Sequence, residues 1–464
     1  MKVAKFGGSS MAHEEQFKKV KSIILAAPER SVIVVSALGK RTKEDDKVTD
    51  LLYLIHAYLH HRVDWTPLWE RICERFIQVR DVLSLTFPIE DELLEIQKKL
   101  QREKVSQDFL VSRGEYLTAK LLAEYVGYTF IDAKELIFFD YTGEIDEERT
   151  KQAIITIYQE KGPLVVPGFY GANPVGKEKL MGRGGSDITG AILAKLLNAD
   201  CYENWTDVSG IMMADPRIID TPKIIKEISF RELREMAYMG ANVLHESAIF
   251  PVQEAGIPIQ IKNTNDPEAQ GTRISSKEVE KENGLTGIAG KKDFLSLTLF
   301  KRHMSDEIGF IWKAMSVFAN HGISIEHIPS GIDNIGVVVS AEAIADQLFL
   351  ITKELKENLG VEEVEIIENL ALISVVGGPH KELIGLSGKV LSILNQLEIR
   401  TSILSQGAQE LNLIIGVKNE EYETVVKGLY EGMALHQIPE IGFHEFKTKA
   451  YLHEQNQGSW GSPA

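Results

Sequence analysis

The chain has 464 residues and carries 51 Lys and Arg against 67 Asp and Glu, a formal net charge of −16 at pH 7. This charge argues against a nucleic-acid or anionic-membrane surface, because both need clustered cations. Its two cysteines, Cys73 and Cys201, form no paired motif, which argues against a zinc ribbon or a disulfide scaffold. Since glycines interrupt the apolar N-terminus and no apolar run approaches about 18 residues, we expect a cytoplasmic protein without membrane spans.

The first part of the chain reads as α/β. Short apolar runs typical of buried parallel strands recur, with helical patterns between them. These runs are VAKF (3–6), SVIVVSA (31–37), PLVVPGF (163–169) and PIQI (258–261). The stretch 50–105 is rich in Leu and charged residues and predicts a helical insertion into this fold.

The composition changes after about residue 265. Residues 265–293 are polar and contain glycine, which predicts a linker. Two rounds of strand, helix, strand, strand and helix follow, and they superpose at an offset of 76 residues. At that offset Gly331 maps to Gly407, and the apolar triplet 337–339 maps to 413–415. We interpret the rounds as an internal duplication of a small βαββα unit. The last residues, 451–464, are predicted to be a disordered tail.

Two glycine motifs are candidates for phosphate and carboxylate binding. In KFGGSS (5–10), the glycines let the backbone approach a ligand and Lys5 adds a positive charge, although an ordinary tight turn would look the same. In GRGGSD (182–187), Arg183 lies among glycines before a predicted helix. Its guanidinium suits a carboxylate or phosphate. Asp187 is either a site residue or simply the N-cap of that helix.

Two further motifs carry charges that could belong to the same site. VSRGE (111–115) precedes a helical pattern, so Glu115 is either stabilised by the helix dipole or is an anchor for a substrate ammonium. TDVSGIMMADPR (206–217) reads as a loop with Asp207 and Arg217 as paired charges. Taken alone, this loop is a weak indication of function.

KFGG, VSRGE, GRGGSD and TDVSGI…DPR, in this order and followed by the duplicated pair, resemble the aspartate kinase (aspartokinase) family over about residues 1–450. The resemblance implies an α/β fold: an amino-acid kinase (carbamate kinase-like) αβα sandwich followed by two ferredoxin-like βαββαβ ACT domains. The implied domains are the kinase at 1–285, the first ACT domain at 294–362 (completed by 440–448) and the second at 366–439. No homoserine dehydrogenase domain follows them, so we expect a monofunctional member.

The resemblance also implies an activity. A member of this family transfers the ATP γ-phosphoryl group to the β-carboxylate of L-aspartate, the first step of lysine, threonine and methionine biosynthesis. The implied cofactor is Mg²⁺, which arrives as Mg-ATP. The implied partners are ATP, L-aspartate and an allosteric lysine or threonine, with assembly into a homodimer or homotetramer through the ACT domains and no nucleic acid or membrane partner.

Site residues are carried over by matching positions. Lys5 and Asp187 would be catalytic. The ATP-binding positions would be Lys5, Gly7, Gly8, Ser9, Ser186, Thr206, Asp207, Met212, Arg217 and Asn242. The aspartate-binding positions would be Ser36, Thr49, Glu115, Phe169 and Arg183, with Glu115 holding the amino group and Arg183 the α-carboxylate. The effector positions would be Met304, Ser305, Asp306, Gly309, Ser324, Ile325, Glu326 and Ser330. The acidic groups among them either favour lysine as the effector or are simply exposed surface charges.

The chain departs from the family pattern at four places. KFGGSS replaces the common KFGGTS and keeps a hydroxyl. Met212 stands where a tyrosine is frequent, and Asn242 stands where a lysine is frequent. The loop after Ser36 is reshaped to SALGKRTKEDDK. Two other hypotheses stay open: a different amino-acid kinase, and a catalytically silent amino-acid-binding regulator. A panel of substrates would separate the first, and ligand binding without turnover would identify the second.

Overall fold

The structure is a computed structural model, which describes residues 1–102, 104–241, 244, 246–277, 284–377, 385–406 and 411–435. Asn242, the segment 440–448 predicted to complete the first ACT domain, Gly407 and the tail 451–464 lie outside the described residues.

The first part of the chain folds around a mostly parallel sheet. Its described strands are β1 (Lys2–Phe6), β2 (Arg30–Val35), β3 (Thr129–Phe130), β4 (Leu164–Pro167), β7 (Cys201–Thr206), β8 (Glu227–Ser229), β9 (Ile259–Asn263) and β10 (Thr272–Ser275). Among the described residues their order is β3-β4-β2-β1-β7-β9-β10-β8. The strands from β3 to β9 in this order are parallel, and β10 runs antiparallel to β9. A separate hairpin joins β5 (Tyr170–Ala172) to β6 (Glu178–Leu180).

Helices cover both faces of this sheet. They are α1 (Glu14–Leu25), α2 (Val48–His61), α3 (Thr66–Val82), α4 (Ile89–Arg102), α5 (Gln107–Val126), α6 (Ala133–Leu136), α7 (Glu147–Lys161), α8 (Gly185–Leu196), α9 (Phe230–Tyr238) and α10 (Ile249–Glu254).

The two helical layers follow from the period of the buried strands. Val32 and Val34 of β2 pack into the layer that contains α8, whereas Ile33 and Val35 pack into the layer that contains α2 and α5. Alternate residues of a strand point to opposite faces, so an uninterrupted apolar run requires helices on both sides. The αβα sandwich and the helical insertion (α2, α3 and α4) are therefore confirmed.

The second part of the chain contains an antiparallel sheet with two very long strands. Its strands are β11 (Leu285–Phe300), β12 (Ile325–His327), β13 (Asn334–Ser340), β14 (Glu363–Gly377), β15 (Ile403–Ser405) and β16 (Asn412–Lys418). Its helices are α11 (Phe310–Asn320), α12 (Ala341–Ile344), α13 (Leu348–Leu359), α14 (Leu386–Gln396) and α15 (Tyr422–Ala434). The strand order in the described part is β12-β13-β11-β14-β16-β15.

The predicted linker at 265–293 is wrong in part, because it contains β10 and the first half of β11. Residues 285–291 of β11 pair with 372–377 of β14, and residues 294–300 pair with 363–370. The first ACT-like half is therefore nested inside the second, which takes its fourth strand from residues before the first half begins. Within the described residues, the first half obtains its own fourth strand from the start of β14.

The internal duplication is visible in the sheet, with a change in its offset. Helices α11 and α14 are 76 residues apart, as predicted. The strands β12 and β13 are 78 residues from β15 and β16. The predicted equivalence of 337–339 with 413–415 is thus off by two residues, since the second round has a longer connection between its helix and next strand. The shift is even, so each side chain keeps its face of the sheet.

Candidate active site

Lys5 and Asp187 form a buried ion pair near the C-terminal end of β1. The Lys5 ammonium lies 2.5 Å from Oδ1 of Asp187, and the two side chains are only 9% and 15% exposed. Asp187 lies in the first turn of α8, and its Oδ1 also accepts a hydrogen bond of 3.0 Å from the amide of Asn204 on β7. The C-terminal ends of parallel strands are where α/β folds bind ligands. The structure therefore brings both predicted catalytic residues together.

The N-cap alternative for Asp187 is wrong. The N-cap of α8 is Gly184, in the left-handed conformation with φ 78°, and it makes no side-chain capping bond. The carboxylate of Asp187 is therefore available for Lys5. Among the described residues, the N–H groups of Gly185 and Ser186 have no partner, whereas those of Asp187 and Ile188 donate to the carbonyl of Gly184. A helix N-terminus favours anions.

Arg183 is exposed, just ahead of α8. Among the described residues it has neither a hydrogen bond nor an ion pair, unlike the buried Arg113, whose guanidinium reaches Glu178 at 3.3 Å. A free guanidinium beside a helix N-terminus can take a ligand carboxylate in a bidentate manner.

The first glycine loop is locked to a second loop. Gly8 accepts a 3.0 Å hydrogen bond from the N–H of Gly39, and Gly7 donates one of 3.0 Å to the carbonyl of Trp205. A Cβ on Gly39 would lie 2.3 Å from the carbonyl oxygen of Gly8, closer than any real contact. The close approach therefore requires glycine at 39, and a Cβ on Gly8 would be tight, 3.3 Å from the carbonyl oxygen of Ala37. The ordinary-turn alternative for KFGG does not account for this packing between two loops. Ser9, the next predicted ATP residue, is half-buried at the start of the same loop.

Glu115 lies in the middle of a helix, not at its start. Helix α5 begins at Gln107 with Ser106 as its N-cap, so the dipole explanation for Glu115 is wrong. Gly114 lets α5 pack against the loop after β2, because a Cβ there would be 2.8 Å from the Cβ of Ala37. Burial raises the pKa of Glu115 to about 8, opposed by the backbone N–H of Ala37. Its Oε2 is buried and has no partner among the described residues.

Phe169 adopts a backbone conformation that is rare for its residue type. Its φ is 78°, and its N–H donates to the hydroxyl of Thr189 at 3.1 Å. Its ring lies against Gly185, where a Cβ would be 2.5 Å from Cδ2 of Phe169. Non-glycine residues in this region often mark functional sites, because the surrounding structure must enforce the strain. The ring thus forms a wall beside the N-terminus of α8, and buried Ser186 follows in that turn.

Ser36 and Thr49 are half-buried on neighbouring segments. Ser36 directly follows β2 and donates its N–H to the carbonyl of Phe6 at 3.1 Å. Thr49 lies in the first turn of α2. Both segments adjoin the site, but no hydrogen bond within the described residues joins the two side chains to Glu115 or Arg183.

A cavity of about 360 Å³ lies beyond the end of β7. Four predicted nucleotide-side residues line it: Thr206, Asp207, Met212 and Arg217. The opposite wall comes from the regulatory half, through Ile288, Ala289, Gly290 and Tyr422. Arg217 is 86% exposed and pairs with Asp215 at 2.6 Å. The cavity adjoins the glycine loop, since the N–H of Gly7 donates to the carbonyl of Trp205, the neighbour of Thr206 in the lining.

Asn204 and Gly39 are site residues that the motifs did not reveal. Asn204 is 3% exposed on β7, next to buried Glu203. A buried parallel strand is normally apolar, so the polar residues in CYENWT could have indicated a functional position on this strand. For Gly39, the indication was a glycine that follows the apolar run 31–37 by two residues and ends the strand pattern.

The predicted effector residues fall on two segments of the first ACT-like half. Met304, Ser305 and Asp306 form a short 3-10 helix ahead of α11, and Gly309 is the N-cap of α11 with φ 82°. Ser324, Ile325 and Glu326 lie on or beside β12, which is an edge strand in the described sheet, and Ser330 is exposed in the following turn. The Glu326 carboxylate accepts a hydrogen bond from the hydroxyl of Tyr238 in α9; burial and this contact raise the pKa of Tyr238.

Two further searches concern only the described residues. No group of three or more His, Cys, Asp or Glu side chains is placed to hold a metal ion. None of the helices there is both long and apolar enough to cross a lipid bilayer.

Comparison with known proteins identifies both parts of the chain. A model of the amino acid kinase family matches residues 1–263, and a model of the ACT domain matches residues 373–433. Aspartokinase 3 of Bacillus subtilis is 35% identical over 449 residues, covering 93% of this chain and 98% of that protein.

Solved structures of aspartate kinases are also similar to this chain. The crystal structure of Clostridium acetobutylicum aspartate kinase is 41% identical with a TM-score of 0.85, covering 93% of this chain and 99% of that chain. Escherichia coli aspartokinase III in complex with aspartate and ADP is 26% identical with a TM-score of 0.72, at 93% and 99% coverage. The chain therefore belongs to the aspartokinase family of ATP-dependent aspartate kinases, with an amino-acid kinase domain followed by ACT domains.

Proposed function

We propose that this chain transfers the γ-phosphoryl group of Mg-ATP to the β-carboxylate of L-aspartate, with Lys5, Glu115 and Arg183 in the roles derived below. The observation that carries the proposal is the buried Lys5–Asp187 pair, 2.5 Å apart, at the glycine-lined ends of the central strands. Two further groups have no partner within the described residues and can bind the substrate: the guanidinium of Arg183 and Oε2 of Glu115.

Lys5 is the charge that stabilises the transferred phosphoryl group. A carboxylate nucleophile is already ionised at neutral pH, so the reaction needs no general base. The main obstacle is the repulsion between two anions, which preorganised positive charge relieves. The N–H group of Gly8 and those of Gly185 and Ser186 in the first turn of α8 add donors on the phosphate side, whereas the N–H of Gly7 is bonded to Trp205. Mg²⁺ arrives as part of the nucleotide substrate and neutralises phosphate oxygens.

Glu115 and Arg183 orient aspartate. The ammonium of the amino acid pairs with Glu115 and supplies the donor that Oε2 lacks. The α-carboxylate pairs with Arg183, and Phe169 closes the site beside it. With both α-groups held, the β-carboxylate is the group left to face the phosphate. Ser36 and Thr49, on the adjoining segments, line this side of the pocket.

The nucleotide base and ribose occupy the cavity beyond β7. Its lining provides hydroxyl and carboxylate groups from Thr206 and Asp207 and apolar surface from Met212. Met212 replaces a frequent tyrosine of the family, so the base meets a flexible thioether rather than an aromatic ring. Ser9 and Ser186 provide hydroxyl donors at the phosphate end.

L-lysine is the effector that we propose for the ACT domains. Escherichia coli aspartokinase III has been solved in complex with lysine and aspartate, and that chain is 26% identical to this one with a TM-score of 0.71. The N–H groups before α11 and the carboxylates of Asp306 and Glu326 suit an amino acid with a second ammonium. The open edge of β12 suits pairing with a second copy, which gives a homodimer or a larger assembly. We place this assembly in the cytoplasm.

The test is a hydroxylamine trap of the acyl phosphate with Mg-ATP and L-aspartate. We expect aspartyl hydroxamate that depends on both substrates and decreases when lysine is added. L-glutamate and N-acetyl-L-glutamate serve as competing acceptors, since other amino-acid kinases use them. Preference for either acceptor would contradict the assignment of aspartate. Lysine binding without any turnover would instead identify a silent regulator.

A further inference from the structure

Asn204 is the cross-strand neighbour of Lys5. The two residues are register partners on the parallel strands β7 and β1. Asn204 is 3% exposed and Lys5 is 7% exposed, so both polar side chains are held inside the molecule. Register partners project toward the same face of a sheet, which places the amide beside the ammonium.

Both side chains donate to the same atom. Oδ1 of Asp187 accepts from the Lys5 ammonium at 2.5 Å and from Nδ2 of Asn204 at 3.0 Å. A carboxylate only accepts hydrogen bonds, which fixes the orientation of the Asn204 amide. The carbonyl oxygen of Asn204 is then left buried, and it has no partner among the described residues.

An unpartnered buried carbonyl is costly, and native structures usually satisfy such groups. The neighbours Asp187 and Glu203 carry carboxylates, which accept hydrogen bonds and do not donate one to this carbonyl. The Glu203 carboxylate is already bonded to Arg30 and Trp205. The Lys5 ammonium contacts the same Oδ1 of Asp187 as the Asn204 amide, from the same face of the sheet. It has three N–H groups and uses one for Asp187, which leaves it as a donor for this carbonyl.

We propose that Asn204 is a positioning residue that lets Lys5 change partners during phosphoryl transfer. Its amide holds Asp187 in place independently of Lys5, and its carbonyl oxygen receives the Lys5 ammonium when that ammonium turns from Asp187 to the phosphoryl oxygens. In the described part of the chain, Asp187 is the one side chain bonded to the Lys5 ammonium. This inference rests on the proposed function of Lys5.

The first test is Asn204→Leu, which removes both the donor and the acceptor at similar size. We expect kcat to fall about 10- to 100-fold while KM for aspartate changes less than about 3-fold, because only an interaction used in the transition state is lost. The matched control is Asn412→Leu. Asn412 is also 3% exposed, donates to a carboxylate (Glu235, 2.6 Å) and has an unpartnered carbonyl oxygen, but it lies in the regulatory sheet. That variant should keep kcat within about 2-fold in the absence of effector.

The second test separates positioning from a structural role. Asn204→Asp places a second carboxylate 3.0 Å from Oδ1 of Asp187, where the amide now lies. Two carboxylates at this distance share a proton at low pH, and the protonated pair restores a donor to Asp187. The Lys5 ammonium beside Asp187 favours the ionised carboxylates and lowers the pH at which the pair takes up its proton. We therefore expect the ratio of variant to wild-type kcat to rise at least about fivefold between pH 8 and pH 5. The same ratio for Asn204→Leu should not change with pH.

Unchanged kcat in Asn204→Leu, or the same flat ratio in both variants, would overturn the inference. Melting temperatures with and without Mg-ADP identify a variant that has simply failed to fold, and Asn204→Asp then decides the question by its pH profile. Failure of the proposed function looks different, because the wild-type protein itself would then yield no aspartyl hydroxamate.

Discussion

The ammonium of Lys5 lies 2.5 Å from the carboxylate of Asp187, and both groups are largely buried. We expect Lys5→Met to lower kcat at least about 100-fold, because the transferred phosphoryl group loses its stabilising charge. The measurement is the initial rate of ADP formation at saturating substrates. Lys2→Met is the control on the same strand, since Lys2 pairs with Glu29 and Glu203 at the other end of β1. A near-native kcat in Lys5→Met would remove Lys5 from the chemistry.

The raised pKa of Glu115 predicts that aspartate binds more tightly as the pH rises. With a pKa of about 8, the free side chain is mostly protonated at pH 6, and a substrate ammonium requires the ionised form. The apparent Kd for aspartate should therefore fall about 50-fold from pH 6 to pH 8, with release of a proton on binding. Calorimetry in buffers of different ionisation enthalpy measures both quantities. Glu115→Gln should bind weakly and lose this pH dependence; retained dependence would assign the titration to another group.

The same shift has a consequence for stability. An acid whose pKa is higher in the folded protein than in the unfolded chain favours folding less as the pH rises between those two values. For Glu115 this interval runs from 4.5 to about 8. Glu115→Gln should therefore gain stability relative to the wild type at pH 8 and lose that advantage near pH 4.5. Urea unfolding at several pH values, without substrate, measures the difference, and a constant difference would contradict the burial argument.

Arg183 can be tested with little risk to the fold, because its side chain is exposed and has no partner among the described residues. We expect Arg183→Leu to raise KM for aspartate about 10- to 100-fold, the loss of a charge-assisted bidentate pair. Its melting temperature should be unchanged. Arg273→Leu, on the exposed side of β10, should affect neither quantity. An unchanged KM in Arg183→Leu would remove this residue from the aspartate pocket.

Gly39 and Gly388 form a contrasting pair of glycines. A Cβ on Gly39 would be 2.3 Å from the carbonyl of Gly8, whereas a Cβ on Gly388 in α14 meets nothing within 4 Å. We expect Gly39→Ala to push the glycine loop out of place and lower kcat/KM for ATP at least about 10-fold. Gly388→Ala should preserve activity and stabilise by up to about 1 kcal/mol, because alanine is the better helix former. Equal kinetics in the two variants would show that the loop tolerates the displacement.

Glu326 has a contact that competes with its proposed role as an effector ligand. If the lysine ammonium displaces the hydroxyl of Tyr238 from Glu326, then Glu326→Gln should raise the lysine concentration for half inhibition about 10-fold. Tyr238→Phe should lower that concentration, since one competitor is removed. Glu342→Gln, an exposed change in the same half, is the control. Unchanged inhibition in both test variants would place the effector elsewhere.

The apolar runs were sufficient to predict an α/β fold, and the resemblance to the aspartate kinase family implied the sandwich and assigned Lys5 and Asp187 to one site. The register of the polar strand β7 could not be predicted in this way, because its buried Glu203 and Asn204 are bonded to partners that are distant in sequence. Glu115 was placed at a helix start because the VSRGE letters do not show that Ser106 caps α5.

The prediction of a linker over residues 265–293 was wrong in β11 for a local reason. Residues 291–293 are exposed, and Asp293 has φ 69°, where β11 shifts its register between the two halves. Their polar composition therefore imitates a loop inside a continuous strand. The predicted offset of 76 residues was wrong for the strands because the second round has two extra residues between its helix and next strand. That connection has no hydrophobic pattern from which the insertion could be recognised.

The central position of β11 also sets the order in which the regulatory region can assemble as it leaves the ribosome. Residues 285–291 are synthesised early, but their pairing partners 372–377 follow only after the whole inner half. One side of the sheet therefore stays incomplete until the inner half has been made. A fragment that begins at residue 366 would contain every helix of the outer half and still expose a bare edge along β14. Such an edge is a template for association between chains.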